Sequence, residues 1–160
     1  SGDWSSDVCS SDLRDNTLNF DRGYTHKIRD LILIEKNIEY IKSNFENYIK
    51  VLISNQAGIA KKKFSLNDFK NFMEKFIFEL KKKKIELSKI YFCPHHKNAL
   101  LREYKKNCKF RKPNVGMIDL ALKDLDILIN KEVIFIGNDI NDKLLATKKK
   151  IKFINQNEIN

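Results

Sequence analysis

The sequence predicts an α/β fold in which a parallel sheet is flanked by helices. Two observations predict it: strands and helices alternate along the chain, and polar residues gather just after the strands. A first strand should end near residue 13, ahead of a polar loop over residues 13–26. Residues 37–45 place Ile38, Ile41 and Phe45 near helical spacing, and 48–53 read as a buried strand closed by a loop over 54–60. The helix over 65–84 is the best marked. Ser65 to Asp68 has the form of a capping box, and Phe69, Phe72, Met73, Phe76, Ile77 and Leu80 recur every three or four residues. Strand 90–92, a long loop over 95–113, helix 117–125, strand 133–136 and strand 152–154 complete the expected elements. In such sheets a ligand crevice lies beyond the carboxyl ends of the strands.

Composition narrows the class. The chain has 160 residues, 42% of them hydrophobic, with 11 Phe and 5 Tyr, which suits one domain with a sizeable core and excludes disorder throughout. No stretch approaches the roughly 20 apolar residues of a spanning helix, and the N-terminus lacks a secretory layout. A soluble, cytoplasmic protein with no membrane partner is expected. The net charge of +10 comes mostly from lysine runs at 61–63, 81–84, 105–106 and 148–150, which lie at apparent helix ends and are not interleaved with aromatics. They read as solvated faces, so no nucleic-acid partner is expected. Binding a polyanion through these lysines is the alternative, and salt-sensitive binding to unrelated nucleic acids would mark it.

Residues 1–12 differ from the rest, with five Ser and three Asp but none of the Lys, Ile or Asn that dominate later. They are expected to be a tail or foreign stretch ahead of a domain over 13–160, with the first strand missing or replaced. Three cysteines and no export signal do not suit a disulfide framework, and Cys9 falls in the anomalous segment.

Phosphoryl transfer to a protein carboxylate asks for a nucleophilic Asp, an acid/base, hydroxyl or amide donors, a cation for the phosphoryl oxygens and acidic residues for a metal. Asp15 with Thr17 follows the first strand position, Ser54 and Asn55 end another, Lys112 precedes a helix, and Asp139 with Asp142 follows a third. Each alone is an ordinary turn residue. Their joint order carries the inference. A second group, Cys93-Pro94-His95-His96 followed by Cys108, suits a zinc loop, because thiolate and imidazole are good ligands for tetrahedral zinc.

These residues resemble the haloacid-dehalogenase-type (HAD-like) phosphatases, and among them the D-glycero-D-manno-heptose 1,7-bisphosphate phosphatase family. Leu13-Arg14-Asp15-Asn16-Thr17-Leu18-Asn19 is similar to the family's first motif, Asp-Arg-Asp-Gly-Thr-Leu-Asn. The stretch from Asp21, Arg22, Gly23 and Tyr24 to Thr25-His26 is similar to a segment defining the sugar-phosphate pocket. Ser54-Asn55-Gln56-Ala57-Gly58 resembles the second motif, Arg111-Lys112-Pro113 with Gly116-Met117 the third, and Gly137-Asn138-Asp139 with Asp142 the fourth.

The resemblance implies a Rossmann-like sheet with no large cap domain and a zinc-loop insertion. It implies a magnesium-dependent phosphatase that removes the C7 phosphate of a heptose 1,7-bisphosphate through an aspartyl-phosphate, on a route to nucleotide-activated heptose for surface polysaccharide. Asp15 would be the acid/base, Ser54 and Asn55 donors to the phosphoryl group, Lys112 its cation and Arg111 the substrate anchor. Asn19, Asp21, Arg22, Gly23, Tyr24 and Gln56 would complete the substrate contacts. Asp15, Asn138 and Asp139 would lie at Mg2+, and Cys93, His95 and Cys108 at a structural Zn2+. The partner would be a small sugar phosphate, and the enzyme a monomer.

The chain departs from that pattern at telling places. The nucleophile position is Leu13, which can neither attack phosphorus nor bind magnesium, and Asp12 beside it would face the other side of a strand. Asn16 replaces a glycine, a mild change because Asn tolerates left-handed backbone. Phe110 stands where the family has its last zinc cysteine, leaving His96, water or nothing as a fourth ligand. This chain is therefore expected to be inactive or nearly so. Histidinol-phosphate phosphatase is the closest enzymatic alternative, and a non-catalytic phosphate-binding or zinc-stabilised domain the alternative from another class.

Overall fold

The computed structural model describes residues 15–127 and 131–159 together with the backbone of 8–11. Leu13 and Asp12 lie outside the described residues. Five parallel strands, β1 (Val8–Ser11), β2 (Ile49–Asn55), β3 (Lys89–Cys93), β4 (Val133–Gly137) and β5 (Lys152–Asn155), form one sheet in the order β3-β2-β1-β4-β5. Five helices connect or flank them: α1 (Glu35–Asn44), α2 (Ala57–Ala60), α3 (Leu66–Lys82), α4 (Gly116–Asp124) and α5 (Ile140–Lys149).

Strand alternation divides the core between the two faces of the sheet. Leu52, Ile134 and Ile136 point to one face, where they meet Ile38 and Ile41 of α1 and Phe69, Phe72, Phe76 and Leu80 of α3. Val51, Ile53 and Phe135 point to the other, against Met117, Ile118 and Ala121 of α4 and Leu145 and Ala146 of α5. Both faces of β2 and β4 are thus covered, which explains their near-continuous apolar runs. The expected parallel α/β architecture is the observed one.

Three details differ from the expectation. The segment at residues 8–11, read as part of a Ser/Asp-rich tail, supplies the backbone of the middle strand, with Val8 level with both Ile49 and Val133. The first strand position is therefore filled by the anomalous stretch. Residues 57–60, read as a loop, make the short helix α2. Helix α5 was not expected, because only Asp142, Leu145 and Ala146 of its 10 residues are buried and its apolar stripe is correspondingly thin.

Helix α3 shows how local signals and packing agree. Ser65 Oγ accepts the Asp68 N–H, and the Asp68 carboxylate accepts the Ser65 N–H, so two of the open donors at the helix start are satisfied. Lys81 and Lys82 lie in its last turn, where positive charge complements the helix dipole. Phe72 and Phe76 are fully buried between α3 and the sheet. Phe76→Ala should cost about 3–5 kcal/mol through the cavity it leaves, measured by urea denaturation, while Phe78→Ala on the exposed face should cost well under that.

Candidate active site

The order of the sheet reverses between β1 and β4, since β2 and β3 lie to one side of β1 and β4 and β5 to the other. A crevice forms at such a switch point, outside the carboxyl ends of the strands. Here it is a cavity of about 340 Å³ lined by Asp15 and Asn16 after β1, Asn55 to Gly58 after β2, Arg111, and Asn138, Asp139 and Asn141 after β4. Asp21, Gly23, Tyr24 and Lys61 complete its rim.

Hydrogen bonds in the loop after β1 fix its shape. Asn16 has φ +60, the left-handed conformation for which Asn is suited, and its Oδ1 accepts the Asp21 N–H at 2.9 Å. Asp21 Oδ1 in turn accepts the Thr25 N–H at 2.9 Å, and the Arg22 N–H donates to Thr25 Oγ1 at 3.1 Å. Gln56 Nε2 donates to Asp15 Oδ2 at 3.1 Å and to Ser54 Oγ at 2.7 Å, so the side chain after β2 orients the carboxylate after β1.

Behind the cavity lies a buried ion pair. Lys112 Nζ donates to Asp142 Oδ1 at 2.6 Å, with both side chains essentially sealed from solvent. Asp142 Oδ2 also accepts the N–H groups of Asn138 and Asp139, at 3.0 and 3.2 Å. A Cβ on Gly137 would sit 2.5 Å from that same oxygen, so only glycine lets the carboxylate approach the end of β4. The Asn55 side chain binds the Lys112 backbone twice, accepting its N–H at 2.9 Å and donating to its carbonyl at 3.1 Å.

The sequence-derived residues fall into two groups. Asp15, Asp21, Gly23, Tyr24, Asn55, Gln56, Arg111, Asn138 and Asp139 line the cavity. Ser54 and Asn19 are fully buried, Arg22 is exposed beside the rim, and Lys112 lies behind the wall, where it borders a neighbouring cavity of about 330 Å³. Sequence reasoning offered Asp142 beside Asp139 as an acidic strand-end residue, whereas its carboxylate is taken up by Lys112 and the turn after β4, and it gave Lys61 no role. The Asp139–Asp142 spacing held a signal for Asp142, because it is that of the capping box that begins α5.

Two groups of side chains have the donor chemistry for metals. Asp15, Asn138 and Asp139 bring oxygen donors to one cavity, which fits a hard divalent ion. The second group is Cys93, His95 and Cys108, whose donor atoms lie within 4.8 Å of one another. Cys93 Sγ is 3.7 Å from His95 Nδ1. Burial, helped by the neighbouring Cys108, pushes the Cys93 thiol up to about 11, while burial and then Lys106 draw His95 downward. His96 turns away, its Nδ1 accepting the Asn98 N–H at 3.0 Å. Phe110 packs against the apolar cluster that contains both cysteines. The set is soft and nearly tetrahedral in number, which fits zinc with three ligands from these residues.

Because Asp142 supports both Lys112 and the turn after β4, its removal should be costly. Asp142→Ala removes the carboxylate partner of a buried ammonium and should lower unfolding free energy by about 3–5 kcal/mol in urea titrations. The double variant Asp142→Leu with Lys112→Met should recover much of that loss, since both members of the pair are then replaced.

Comparison with known proteins agrees with this geometry. The profile of the family described as polynucleotide kinase 3 phosphatase matches residues 9–157. The chain is 38% identical over 139 residues to the D-glycero-beta-D-manno-heptose-1,7-bisphosphate 7-phosphatase of Photorhabdus laumondii, covering 86% of this chain and 73% of that one. It is 37% identical over 140 residues to the protein of the same name from Pasteurella multocida, covering 87% and 75%. Among solved structures, a putative HAD-like phosphatase of Mesorhizobium loti superposes with a TM-score of 0.81 at 22% identity, over 91% of this chain and 69% of that one. The D,D-heptose 1,7-bisphosphate phosphatase of B. bronchiseptica, complexed with magnesium and phosphate, gives 0.77 at 20% identity over 92% and 78%. A match of the family profile over residues 9–157, and identities of 37–38% over most of both chains, place the chain in the polynucleotide kinase 3 phosphatase family, among its heptose-bisphosphate phosphatase members.

Proposed function

We propose that the cavity binds a heptose 1,7-bisphosphate and is built to hydrolyse its C7 phosphate in nucleotide-activated heptose synthesis for surface polysaccharide. The observation that carries this reading is the gathering of Asp15, Asn55, Gln56, Arg111, Asn138 and Asp139 around one cavity, in a chain whose relatives bear that activity in their names. The enzyme we propose is a cytoplasmic monomer acting on a small free sugar phosphate, and its phosphatase domain, expected over 13–160, also takes in the strand at 8–11. The lysine runs at the ends of α3 and α5 sit where positive charge complements helix termini, which supports a solvated role and no nucleic-acid partner.

Asp15 is the proposed acid/base. Gln56 holds its carboxylate at the cavity wall, from which it can give a proton to the departing sugar oxygen and take one from the attacking water. The Asn55 side chain is engaged by the Lys112 backbone, so its contribution is to fix the wall as well as to line it. Ser54 supports through Gln56, and Lys112 supplies positive potential from behind the wall. Asn19 and Arg22 shape the loop, Asn19 by donating to the Phe20 carbonyl at 3.1 Å. Arg111, with His95 O accepting from its Nη1 at 3.3 Å, faces the substrate.

Asp15, Asn138 and Asp139 would hold Mg2+, which when bound neutralises phosphoryl oxygens. Asp139 Oδ1 accepts the Asp142 N–H, which aims the carboxylate and leaves its other oxygen for the ion. Cys93, His95 and Cys108 would hold a structural Zn2+ that braces the loop carrying Arg111. Zinc measured well below one atom per folded chain would overturn that part.

The aspartyl-phosphate route needs a carboxylate where this chain has Leu13. We infer that the chain keeps the binding site and has lost nearly all turnover. Phosphate release from heptose 1,7-bisphosphate with magnesium should be near background, and Leu13→Asp should raise it by at least about 10³-fold. Robust release by the unsubstituted chain, abolished by Asp15→Asn, would overturn the loss of turnover. A preference of the Leu13→Asp chain for histidinol phosphate would overturn the choice of substrate.

A further inference from the structure

Lys61 stands at the rim of the cavity with its charge uncompensated. It is half-buried and has no carboxylate within ion-pair distance among the described residues. Its ammonium donates to Tyr24 Oη at 3.2 Å and lies 5.8 Å from the centre of the Tyr24 ring. A neutral hydroxyl and an aromatic ring orient an ammonium without cancelling its charge.

The backbone is arranged to keep Tyr24 there. Gly23 and Tyr24 both have positive φ, +95 and +56, and this turn lays the tyrosine ring on α2. A Cβ on Gly58 would meet Tyr24 Cδ1 at 2.8 Å and lie closer still to the Phe64 ring, so α2 accepts both rings only because residue 58 is glycine. Two residues on, His26 stacks on Phe64 with centroids 5.0 Å apart. A non-glycine residue persists at positive φ where its surroundings over-determine it, and that strain commonly marks a functional site.

Arg111 also lines the cavity, and among the described residues neither it nor Lys61 forms an ion pair. The carboxylates Asp15 and Asp139 gather at the strand ends, where the reacting phosphate is assigned above. A second anionic group on the same substrate would find its positive partners at the rim.

We propose that Lys61, positioned by Tyr24, binds the second phosphate of the substrate, so that the site selects sugar bisphosphates over monophosphates. This rests on the functional reading above and adds a specificity-determining residue to it. Lys63 provides a control, since its ammonium lies 6.0 Å from the Tyr24 ring but the residue is exposed and does not line the cavity.

The test is calorimetric titration of the full chain, with magnesium, using heptose 1,7-bisphosphate and heptose 7-phosphate. Lys61→Met should weaken the bisphosphate about tenfold while changing the monophosphate by less than about twofold, the scale of one charge-assisted contact. Lys61→Arg should restore most of the loss, Tyr24→Phe should fall between, and Lys63→Met should leave both ligands as they were. Equal weakening of both ligands by Lys61→Met, or none, would overturn the assignment and leave the functional reading in place. Failure of the unsubstituted chain to bind the bisphosphate at all would overturn the functional reading, and the role of Lys61 with it.

Discussion

The pair formed by Lys112 and Asp142 is the contact on which the strand-end crevice depends. Removing two charges from water costs several kcal/mol for each ion, and their attraction repays this only with good geometry and further hydrogen bonds. Both conditions are met. The ions approach to 2.6 Å, and the second carboxylate oxygen takes two backbone N–H groups at the end of β4. Asp142 belongs to α5, Asn138 and Asp139 to the turn after β4, and Lys112 to the segment that the Asn55 side chain fastens to β2. One carboxylate thus ties the turn between β4 and α5 to the Lys112 segment, 30 residues away in sequence. The Gly137 position is part of the same constraint, since any side chain there would occupy the space of the carboxylate.

A second set of bonds reaches the crevice from the opposite side. Asn37, buried in α1, donates to the Thr17 carbonyl at 2.7 Å and to Gln156 Oε1 at 2.8 Å, so the loop after β1 is tied to α1 and to the end of the chain. Asn16 and Asp21 then close that loop on itself. Gln56 holds the Asp15 carboxylate beside this loop, and the strand at 8–11 enters the sheet through its backbone. That is how an anomalous segment can fill the middle strand while the loop beyond it keeps its form: a parallel strand is held chiefly by backbone ladders, here to Ile49 through Leu52 and to Val133 through Ile136.

The α/β class was legible because β2 and β4 are apolar runs buried on both faces and α3 has a strong three-and-four repeat with a capping box. Helix α5 was not, since its stripe is thin and the Asp139–Asp142 pair reads as an acidic strand end until the backbone shows it to be a cap. The site followed the same division. Residues that face the cavity, such as Asp15, Gln56 and Arg111, are polar residues at strand ends, which sequence identifies well. Depth is what it does not supply: Ser54, Asn19 and Lys112 are also polar and near strand ends, yet they are buried behind the wall. Lys61 was hidden for another reason, because it belongs to a lysine run and what separates it from Lys62 and Lys63 is its hydrogen bond to Tyr24 Oη and its place on the cavity lining.

Binding and turnover are separable in this arrangement. Among the described residues the crevice is shaped by Asp142 with Lys112, Asn55 with the Lys112 backbone, Gln56 with Asp15, and Tyr24 with Gly58. A change confined to the attacking group removes the covalent step, whose energetic worth lies in the transition state, and leaves ground-state recognition to side chains that do not depend on it. The charges follow the same logic. Carboxylates gather where a metal and the reacting phosphate would meet, while Arg111 and Lys61, without ion-pair partners among the described residues, stand at the wall and rim, where a second anion would lie. On the proposed reading, affinity for a doubly charged substrate is a property of the folded crevice, and hydrolysis a property of one carboxylate added to it.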